Sequence, residues 1–556
     1  MPIKSRRRFL YSSSAVAFTA ALLSRDRAAA SAASEGELLY NGIRLPSEWP
    51  PRRESITREP MPVPYLRNPP AVIPIDTGRQ LLFDDFLIEQ STLVRRFHVA
   101  TIHPESPVLK PEPANAWEKT RELATAITFS DGVWYDPKDR LFKMWYMGGF
   151  LPSATCYAQS KDGIHWEKPA LEIQPGTNVV HRRNRDSSTV WLDLNEPDPQ
   201  KRFKLALVPI RETRPHKMEL YFSGDGVHWS EVAAESGPCG DRTTFFYNPF
   251  RKVWVYSVRA GTKEVGRCRK YWEHADFVRG AAWTEAQPAW WVGADRLDPP
   301  NPEEPEARTE LYTLDAVGYE SILLGAFSIM RRSTRKGNDL ALGFSRDGFH
   351  WDRPERRAFI PTSPRRGDWN FDYLHPAGGC CLIVGDRLHF YFGGRSDAYT
   401  NPNAFRSVGL ATLRRDGFAS MEAGAAGGEL TTRPVRFSGK HLFVNADARS
   451  GELRVEVLDQ EGRTIEPFTS ARCVPVRADR TLAAVTWKGA KDLSRLSGKP
   501  VRFRFRLQNA SLYAFWVSPE RSGASNGYVA AGGPGFTGAT DTVGSRLHES
   551  QKDRGV

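Results

Sequence analysis

Long hydrophobic runs are missing from this sequence. No stretch of the 556 residues approaches the roughly 18–20 consecutive apolar residues that a membrane-spanning helix needs, which argues against a membrane span. Cysteine is also scarce: the chain has six, and none forms a C-x-x-C pair or stands at metal-ligand spacing from a histidine. We expect the adjacent Cys380 and Cys381, which lie in an apolar run, to be buried core thiols. Tryptophan, by contrast, is plentiful at 16 residues, and this content excludes a disordered chain.

The first 33 residues have the features of an export signal. Residues 5–10 read S-R-R-R-F-L, which resembles the twin-arginine motif, and a mildly apolar segment follows at 11–23. Small residues at 28–33 offer a cleavage site. We therefore expect export to the periplasm or the exterior. The net charge of +12 is spread along the chain, which predicts no nucleic-acid partner.

A seven-residue pattern, Ser-x-Asp-Gly-x-His-Trp, recurs along the chain. It occurs at 160–166, 223–229 and 345–351, and a weaker copy stands at 415–418. The aspartates are 63, 122 and 69 residues apart, so the long interval holds two units, and a decayed copy is expected near 272–283. Asp-Gly favours a tight turn, and we interpret the three histidines as turn residues rather than ligands.

Each unit contains three or four strand-like runs, and five such units predict an all-β fold with a five-bladed β-propeller over 76–425. Nine prolines within 44–74 predict an extended arm (34–75) without regular elements. Residues 430–520 alternate apolar and polar side chains without the repeat, which predicts a C-terminal β-sandwich. The Gly- and Ser-containing segment 521–556 predicts a flexible tail.

One acidic residue precedes each expected innermost strand of the propeller. In chain order these residues are Glu122, Asp186, Asp241, Glu310 and Asp372, with Asp315 and Glu320 as alternatives in the fourth unit. In equivalent register, the five carboxylates line one mouth of the central channel. Like charges raise one another's pKa, whereas an adjacent arginine lowers it, and pKa values moved apart turn two carboxylates into an acid and a base.

Glycoside hydrolysis uses such a carboxylate pair. We therefore predict a catalytic site that includes Glu122, Asp186 and Asp241. The residues predicted to bind substrate flank these acids or supply an aromatic face for a sugar: Arg185, Arg242, Glu310, Asp315, Asp372, His375 and Trp134.

The five units, their Ser-x-Asp-Gly-x-x-Trp ends and the following sandwich resemble the fructosidase-type hydrolases of glycoside hydrolase family 32 over about residues 76–520. Arabinanase-type hydrolases of family 43 share the propeller. Family 32 enzymes use an Asp nucleophile, a stabilising Asp in an Arg-Asp-Pro motif and a Glu acid. Arg185-Asp186 resembles the stabiliser motif, with Ser187 in place of proline. The resemblance implies Glu122 as nucleophile or base and Asp241 as acid, and both depart from the family pattern in residue type. The Trp-x-Asn-Asp-Pro-Asn motif of the family is absent.

The sequence thus predicts an exported glycoside hydrolase that acts on an oligo- or polysaccharide without a redox cofactor, with fructosides and arabinosides as candidate substrates. A carboxylate ring also suits a hard cation, so a structural Ca²⁺ is a further expectation. Two alternatives stay open: a non-catalytic carbohydrate-binding propeller, and a phosphorolytic or sialidase-like propeller enzyme.

Overall fold

The fold is almost entirely β-structure. The computed structural model describes residues 36–119, 123–210, 215–301, 304–331, 337–397, 401 and 403–547. Two short α-helices occur in these ranges, α1 (Pro64–Arg67) and α2 (Phe277–Ala281). Three single 3₁₀ turns lie at Ala116–Glu118, Pro199–Lys201 and Ser494–Leu496. The predicted all-β class is confirmed, and in the described ranges no helix has the length and apolarity to cross a membrane.

Five short strands precede the repeated units. They are β1 (Ile73–Pro74), β2 (Gln80–Leu81), β3 (Ile88–Ser91), β4 (Val94–Phe97) and β5 (Thr101–Ile102). Despite its prolines, the predicted arm is not free of regular structure, because it contains α1 and β1. Apolar residues anchor it: Leu39, Tyr65 and Ile73 are buried in the core of the C-terminal domain.

Five successive antiparallel sheet units follow. The first holds β6 (Ala124–Asp136), β7 (Leu141–Gly148), β8 (Ala154–Ser160) and β9 (Val179–His181). The second holds β10 (Arg185–Leu192), β11 (Phe203–Pro209), β12 (Glu219–Ser223) and β13 (Ala234–Glu235). The third holds β14 (Thr244–Asn248), β15 (Val253–Thr262), β16 (Gly266–His274) and β17 (Ala289–Gly293). The fourth holds β18 (Thr309–Glu320), β19 (Ile322–Arg331) and β20 (Gly337–Ser345). The fifth holds β21 (Asp372–Pro376), β22 (Leu382–Val384), β23 (Arg387–Arg395) and β24 (Phe405–Arg414).

The first strands of the five units pack around a common centre. Strand β6 contacts β10, β10 contacts β14, β14 contacts β18, β18 contacts β21, and β21 returns to β6. Parallel pairing of β24 with β6, at Phe405–Ala124 and Arg406–Thr125, joins the fifth unit to the first. The first residues of these innermost strands therefore converge at one mouth of a central channel.

The Ser-x-Asp-Gly repeat forms the predicted turn. In the first copy, Asp162 accepts hydrogen bonds from the backbone N–H groups of Ile164 (2.8 Å) and His165 (2.9 Å), and its second oxygen contacts His165 Nδ1 at 2.7 Å. Gly163 has φ +79°, a conformation that favours glycine. The histidine is thus a turn partner of the aspartate, as predicted.

These turns also join neighbouring units. Tyr391 of the fifth unit donates to Gly163 O of the first (2.5 Å), and Trp145 of the first donates to Gly226 O of the second (2.7 Å). Trp291 of the third unit donates to Phe349 O of the fourth (2.7 Å). The buried aromatic residues therefore fix one unit against the next as well as filling the core.

A β-sandwich follows the fifth unit. Its strands are β25 (Ala419–Ala423), β26 (Gly428–Thr432), β27 (Val435–Arg436), β28 (His441–Asp447), β29 (Glu452–Leu458), β30 (Asp479–Val485), β31 (Arg502–Gln508) and β32 (Ala510–Ser518). One sheet has the order β30-β28-β32-β25-β4, and the other has β29-β31-β26-β3. A sandwich is thus present where predicted, but β3 and β4 complete it, and β2 pairs with β32. The propeller boundary predicted at residue 76 is therefore wrong, because Leu82, Phe86 and Leu87 are buried in the sandwich core.

The C-terminal segment packs against the propeller, so the prediction of a flexible tail is wrong for the described residues up to 547. Strand β33 (Tyr528–Val529) pairs with β18. Asp541 forms a buried 3.0 Å ion pair with Arg415. The composition of this segment predicts flexibility because small residues carry no information about the buried partners that the segment contacts.

Candidate active site

A pocket of about 230 Å³ opens where the innermost strands begin. Its lining comes from the first, second, fourth and fifth units: Ile127, Phe129, Met147, Phe150, Asp186, Tyr312, Tyr373, His375, Arg395 and Arg406. The strand register shifts near the start of β6, β10, β18 and β21. Such β-bulges re-aim side chains, and here they occur on four strands that border one cavity.

Asp186 stands at the beginning of β10 on the pocket wall. Its Oδ1 lies 3.6 Å from Arg242 Nη1, and 28% of its side chain is exposed. Burial raises the pKa of this carboxyl to about 6, because desolvation outweighs the opposing charge of Arg242 while Asp241 adds a like charge. A proton is therefore held on Asp186 at mildly acidic pH.

Asp241 lies three positions before β14 in the neighbouring unit. Its Oδ1 lies 3.5 Å from Arg259 Nε, and its backbone carbonyl accepts a 2.7 Å hydrogen bond from Ser187. Burial opposes its ionisation, but Arg259, Arg267 and Arg242 together hold the pKa of Asp241 below its ordinary value. The two neighbouring carboxylates thus have pKa values shifted in opposite directions, which is the arrangement of an acid and a base.

Arg242 lies buried beside this pair. Its guanidinium carbon stands 3.3 Å from the ring centroid of Phe129 and 5.2 Å from that of Tyr312. None of its three side-chain nitrogens has a hydrogen-bond partner in the part of the chain that the structure describes. The predicted substrate-binding role of Arg242 therefore stays a prediction, and its position beside Asp186 agrees with it.

His375 forms part of the pocket lining and is surrounded by aromatic rings. The ring centroids of Phe129, Tyr373 and Tyr312 lie 4.4, 4.9 and 5.3 Å from its own. Burial, with Arg242 and two further arginines nearby, lowers its pKa well below the ordinary value. Neither ring nitrogen has a hydrogen-bond partner among the described residues, so a neutral imidazole can donate to or accept from a ligand here.

Four other predicted residues have partners inside the protein. Arg185 donates to Thr155 (3.1 Å) and to Asp131, and Asp372 forms a two-pronged ion pair with Arg395 (2.8 and 3.1 Å). Glu310 pairs with Arg308 at 2.8 Å. Asp315 accepts from Ser130 (3.0 Å), and burial raises its pKa to about 7. These side chains support the walls and the channel below the pocket, whereas Asp186 borders the cavity itself.

Trp134 and Glu122 are the remaining predicted site residues. Trp134 is wrong as a sugar-stacking residue: it is buried, donates a 2.9 Å hydrogen bond to Val190 O, and packs edge-on against Trp191 at 4.6 Å. Its place late in β6 puts it in the core rather than at the pocket, since it is absent from the pocket lining. Glu122 lies outside the described residues, so its catalytic role stays a prediction.

Several pocket residues escaped the sequence analysis. Tyr312 follows Glu310 by two positions, and Tyr373 precedes His375 by two positions. Because alternate residues of a strand share a face, this spacing is the sequence signal that could have identified both tyrosines. Asp131, which is buried and does not line the pocket, gave no comparable signal. It follows Ser130, whose φ of +66° belongs to the bulge in β6, and it accepts hydrogen bonds from Arg185 and Ser188.

A larger cavity of about 550 Å³ lies beside the fourth and fifth units. Two of its arginines are ion-paired: Arg331 with Asp339, and Arg356 with Asp295 at 2.7 Å. Because Asp186, with its raised pKa, lines the smaller pocket, that pocket is the better candidate for chemistry. Within the described ranges, no group of three or more His, Cys, Asp or Glu side chains is arranged to hold a metal ion.

No protein-family profile matches the sequence, and no curated protein matches it. Solved structures of carbohydrate-active proteins are similar to it at low identity. An N-acetylgalactosamine deacetylase from F. plautii is 13% identical, with 62% of this chain and 97% of that chain covered and a TM-score of 0.38. A thermostable family-43 glycoside hydrolase is 10% identical, with 55% and 95% covered and a TM-score of 0.39. A structure from the family 130 of mannoside phosphorylases, described as containing hydrolases of β-1,2-mannosidic linkages, is 13% identical, with 57% and 94% covered and a TM-score of 0.39.

Proposed function

We propose that this protein is a glycoside hydrolase whose catalytic carboxylates are Asp186 and Asp241. One observation carries the proposal: two carboxylates at the heads of neighbouring innermost strands have pKa values shifted in opposite directions beside an aromatic-walled pocket. Glycosidic bond cleavage requires one carboxyl that donates a proton and one that stays ionised. The wall supplies Phe129, Tyr312 and Tyr373 for the apolar faces of a sugar.

The charges assign a role to each carboxylate. Asp186, with a pKa near 6, holds a proton for the leaving oxygen as general acid. Asp241 stays ionised beside Arg259 and serves as base or as nucleophile. This assignment reverses the roles that the family 32 resemblance implies, where Asp186 is the stabiliser and Asp241 the acid. The export of the protein and a third catalytic role for Glu122 belong to the same proposal.

The test is the release of reducing sugar by the protein without residues 1–33. The panel holds fructans, arabinans, xylans, pectic and sulfated polysaccharides, and each substrate is assayed with and without inorganic phosphate. Asp186→Asn and Asp241→Asn each remove one carboxylate, and Asp492→Asn, in the sandwich, is the matched control. We expect release by the wild type and the control, and a loss of at least about a hundredfold in the two site variants.

Other results favour other functions. Equal release by wild type and both site variants keeps the hydrolase but removes Asp186 and Asp241 from its chemistry. Formation of a sugar phosphate only when phosphate is present indicates phosphorolysis. Polysaccharide retardation in affinity electrophoresis without any release indicates a carbohydrate-binding propeller.

A further inference from the structure

Two arginines lie close to one aromatic ring near the proposed catalytic centre. The guanidinium carbon of Arg242 stands 5.2 Å from the ring centroid of Tyr312, and that of Arg267 stands 4.8 Å from it. Arg242 is also 3.6 Å from Asp186, and Arg267 contributes to the electrostatic environment of both Asp186 and Asp241. Both cations thus lie near the candidate carboxylate pair.

The hydrogen-bonding capacity of these arginines is largely unused. The three side-chain nitrogens of Arg242 and Nη1 of Arg267 are buried without a hydrogen-bond partner among the residues that the structure describes. Other buried arginines form strong side-chain bonds even where a nitrogen is left over: Arg79 leaves Nε and Nη2 without a partner but donates to Asp416 at 2.9 Å, whereas Arg346 makes two 2.8 Å bonds to Asp84. Leaving a buried charged donor unpaired is costly, so this pair is suited to an external acceptor.

The local charge has the matching sign. Glu310 forms its shorter ion pair with Arg308, at 2.8 Å, whereas Arg267 lies 3.8 Å from Glu310. Around the candidate catalytic pair, three guanidinium groups therefore face two carboxylates: Arg242, Arg259 and Arg267 against Asp186 and Asp241. An incoming anion removes this imbalance, whereas a neutral sugar leaves it in place.

We propose that Arg242 and Arg267 form an oxyanion subsite that binds the carboxylate or sulfate group of an acidic sugar. This inference rests on the proposed function, and it specifies an anionic glycan as the substrate. A guanidinium group presents a planar fork of donors that matches a carboxylate or sulfate with two parallel hydrogen bonds. Tyr312 lines the pocket beside both arginines. Inorganic phosphate has the same chemistry, and the experiment separates the two sources.

The experiment measures binding of ligands that cannot be cleaved. Calorimetric titration of the protein without residues 1–33 uses D-glucuronate, D-galacturonate and glucose 6-sulfate, each against its neutral parent sugar, together with inorganic phosphate. We expect at least one acidic sugar to bind at least tenfold more tightly than its parent. Arg267→Gln is expected to weaken that binding at least tenfold, and Arg267→Lys to weaken it less, because Lys keeps the charge but lacks the fork.

Arg463→Gln is the matched control, since it removes one positive charge from an exposed side chain of the sandwich and no donor of the subsite. It is expected to change binding less than twofold, and thermal unfolding of every variant verifies the fold. Equal binding of acidic and neutral sugars, or equal binding by Arg267→Gln and the wild type, overturns the proposal. Binding of phosphate alone overturns the acidic sugar as its occupant. Because no bond is cleaved in this titration, its failure is distinguishable from a failure of the hydrolase assay.

Discussion

The replacement of Asp186 by asparagine should stabilise the protein while it removes the proposed catalytic acid. Asp186 has a pKa raised from the ordinary 3.8 to about 6. Since the folded protein holds this proton more tightly than the unfolded chain, protonated Asp186 favours folding at low pH. This contribution is lost as the pH rises through about 6. At 1.36 kcal/mol per pKa unit, the difference amounts to about 3 kcal/mol.

Asparagine does not ionise, so the variant does not lose this contribution. Relative to wild type, Asp186→Asn should gain about 2 kcal/mol in free energy of unfolding between about pH 4 and pH 8. Over the same range, its hydrolytic activity should be lower by about 10²- to 10⁴-fold. A variant that is more stable but less active is typical of a carboxyl held in an unfavourable environment for its function.

Urea unfolding of the wild type, Asp186→Asn and the control Asp492→Asn at several pH values between 4 and 8 measures this effect. The reasoning is refuted if the stability difference between wild type and Asp186→Asn does not change with pH. It is also refuted if the variant becomes relatively less stable as the pH rises. Unchanged activity would leave the electrostatic analysis intact and remove Asp186 as the acid.

Three further predictions concern the fold. Asp347→Ala should lower the free energy of unfolding by about 2–3 kcal/mol, and Asp162→Ala by about 1 kcal/mol. The two aspartates occupy equivalent turns, but the side chain of Asp347 is 4% exposed and that of Asp162 is 36% exposed. Urea unfolding of both variants measures the difference. Trp134→Phe should cost about 1–2 kcal/mol through the lost bond to Val190 O but leave the KM unchanged, and a changed KM would contradict its placement in the core. Truncation after Glu520 should destabilise the protein by about 3–5 kcal/mol, because it removes β33 from β18 and takes Asp541 away from buried Arg415, which then keeps only Glu320; thermal unfolding that matches the full chain would contradict this.

The repeated turn was predictable because its partners are local. Ser160, Asp162, Gly163 and His165 lie within six residues, and their spacing already specifies the hydrogen bonds that they form. The all-β class follows from the same repeat, since each turn must connect short strands that bury their faces against neighbours.

The candidate site was predictable only in part. Asp186 and Asp241 lie at the mouth because they head equivalent strands, and the alternation of strands carries that information. Asp372 heads an equivalent strand too, but Arg395, which neutralises it, comes from a different strand 23 residues later. Whether an acid lies opposite an arginine on a neighbouring strand depends on the strand register. The position of the acid in the sequence does not reveal that register.

The domain boundaries failed for a related reason. Residues 80–97 alternate as propeller strands would, yet β3 and β4 pair with β26 and β25, more than 300 residues later. The apolar pattern predicts strands there but carries no information about which sheet receives them.

The interleaving of the two ends of the chain has a consequence for biosynthesis. The sandwich needs β3 and β4 from the beginning of the chain and β32 from near its end, and the fourth propeller unit is completed by β33. Arg415 receives Asp541, one of its two buried partners, only when a further 126 positions have been made. The two domains therefore cannot be completed one after the other during synthesis. Both reach their native state only after residues up to 541 have left the ribosome, so a stop codon before β32 removes strands from both domains.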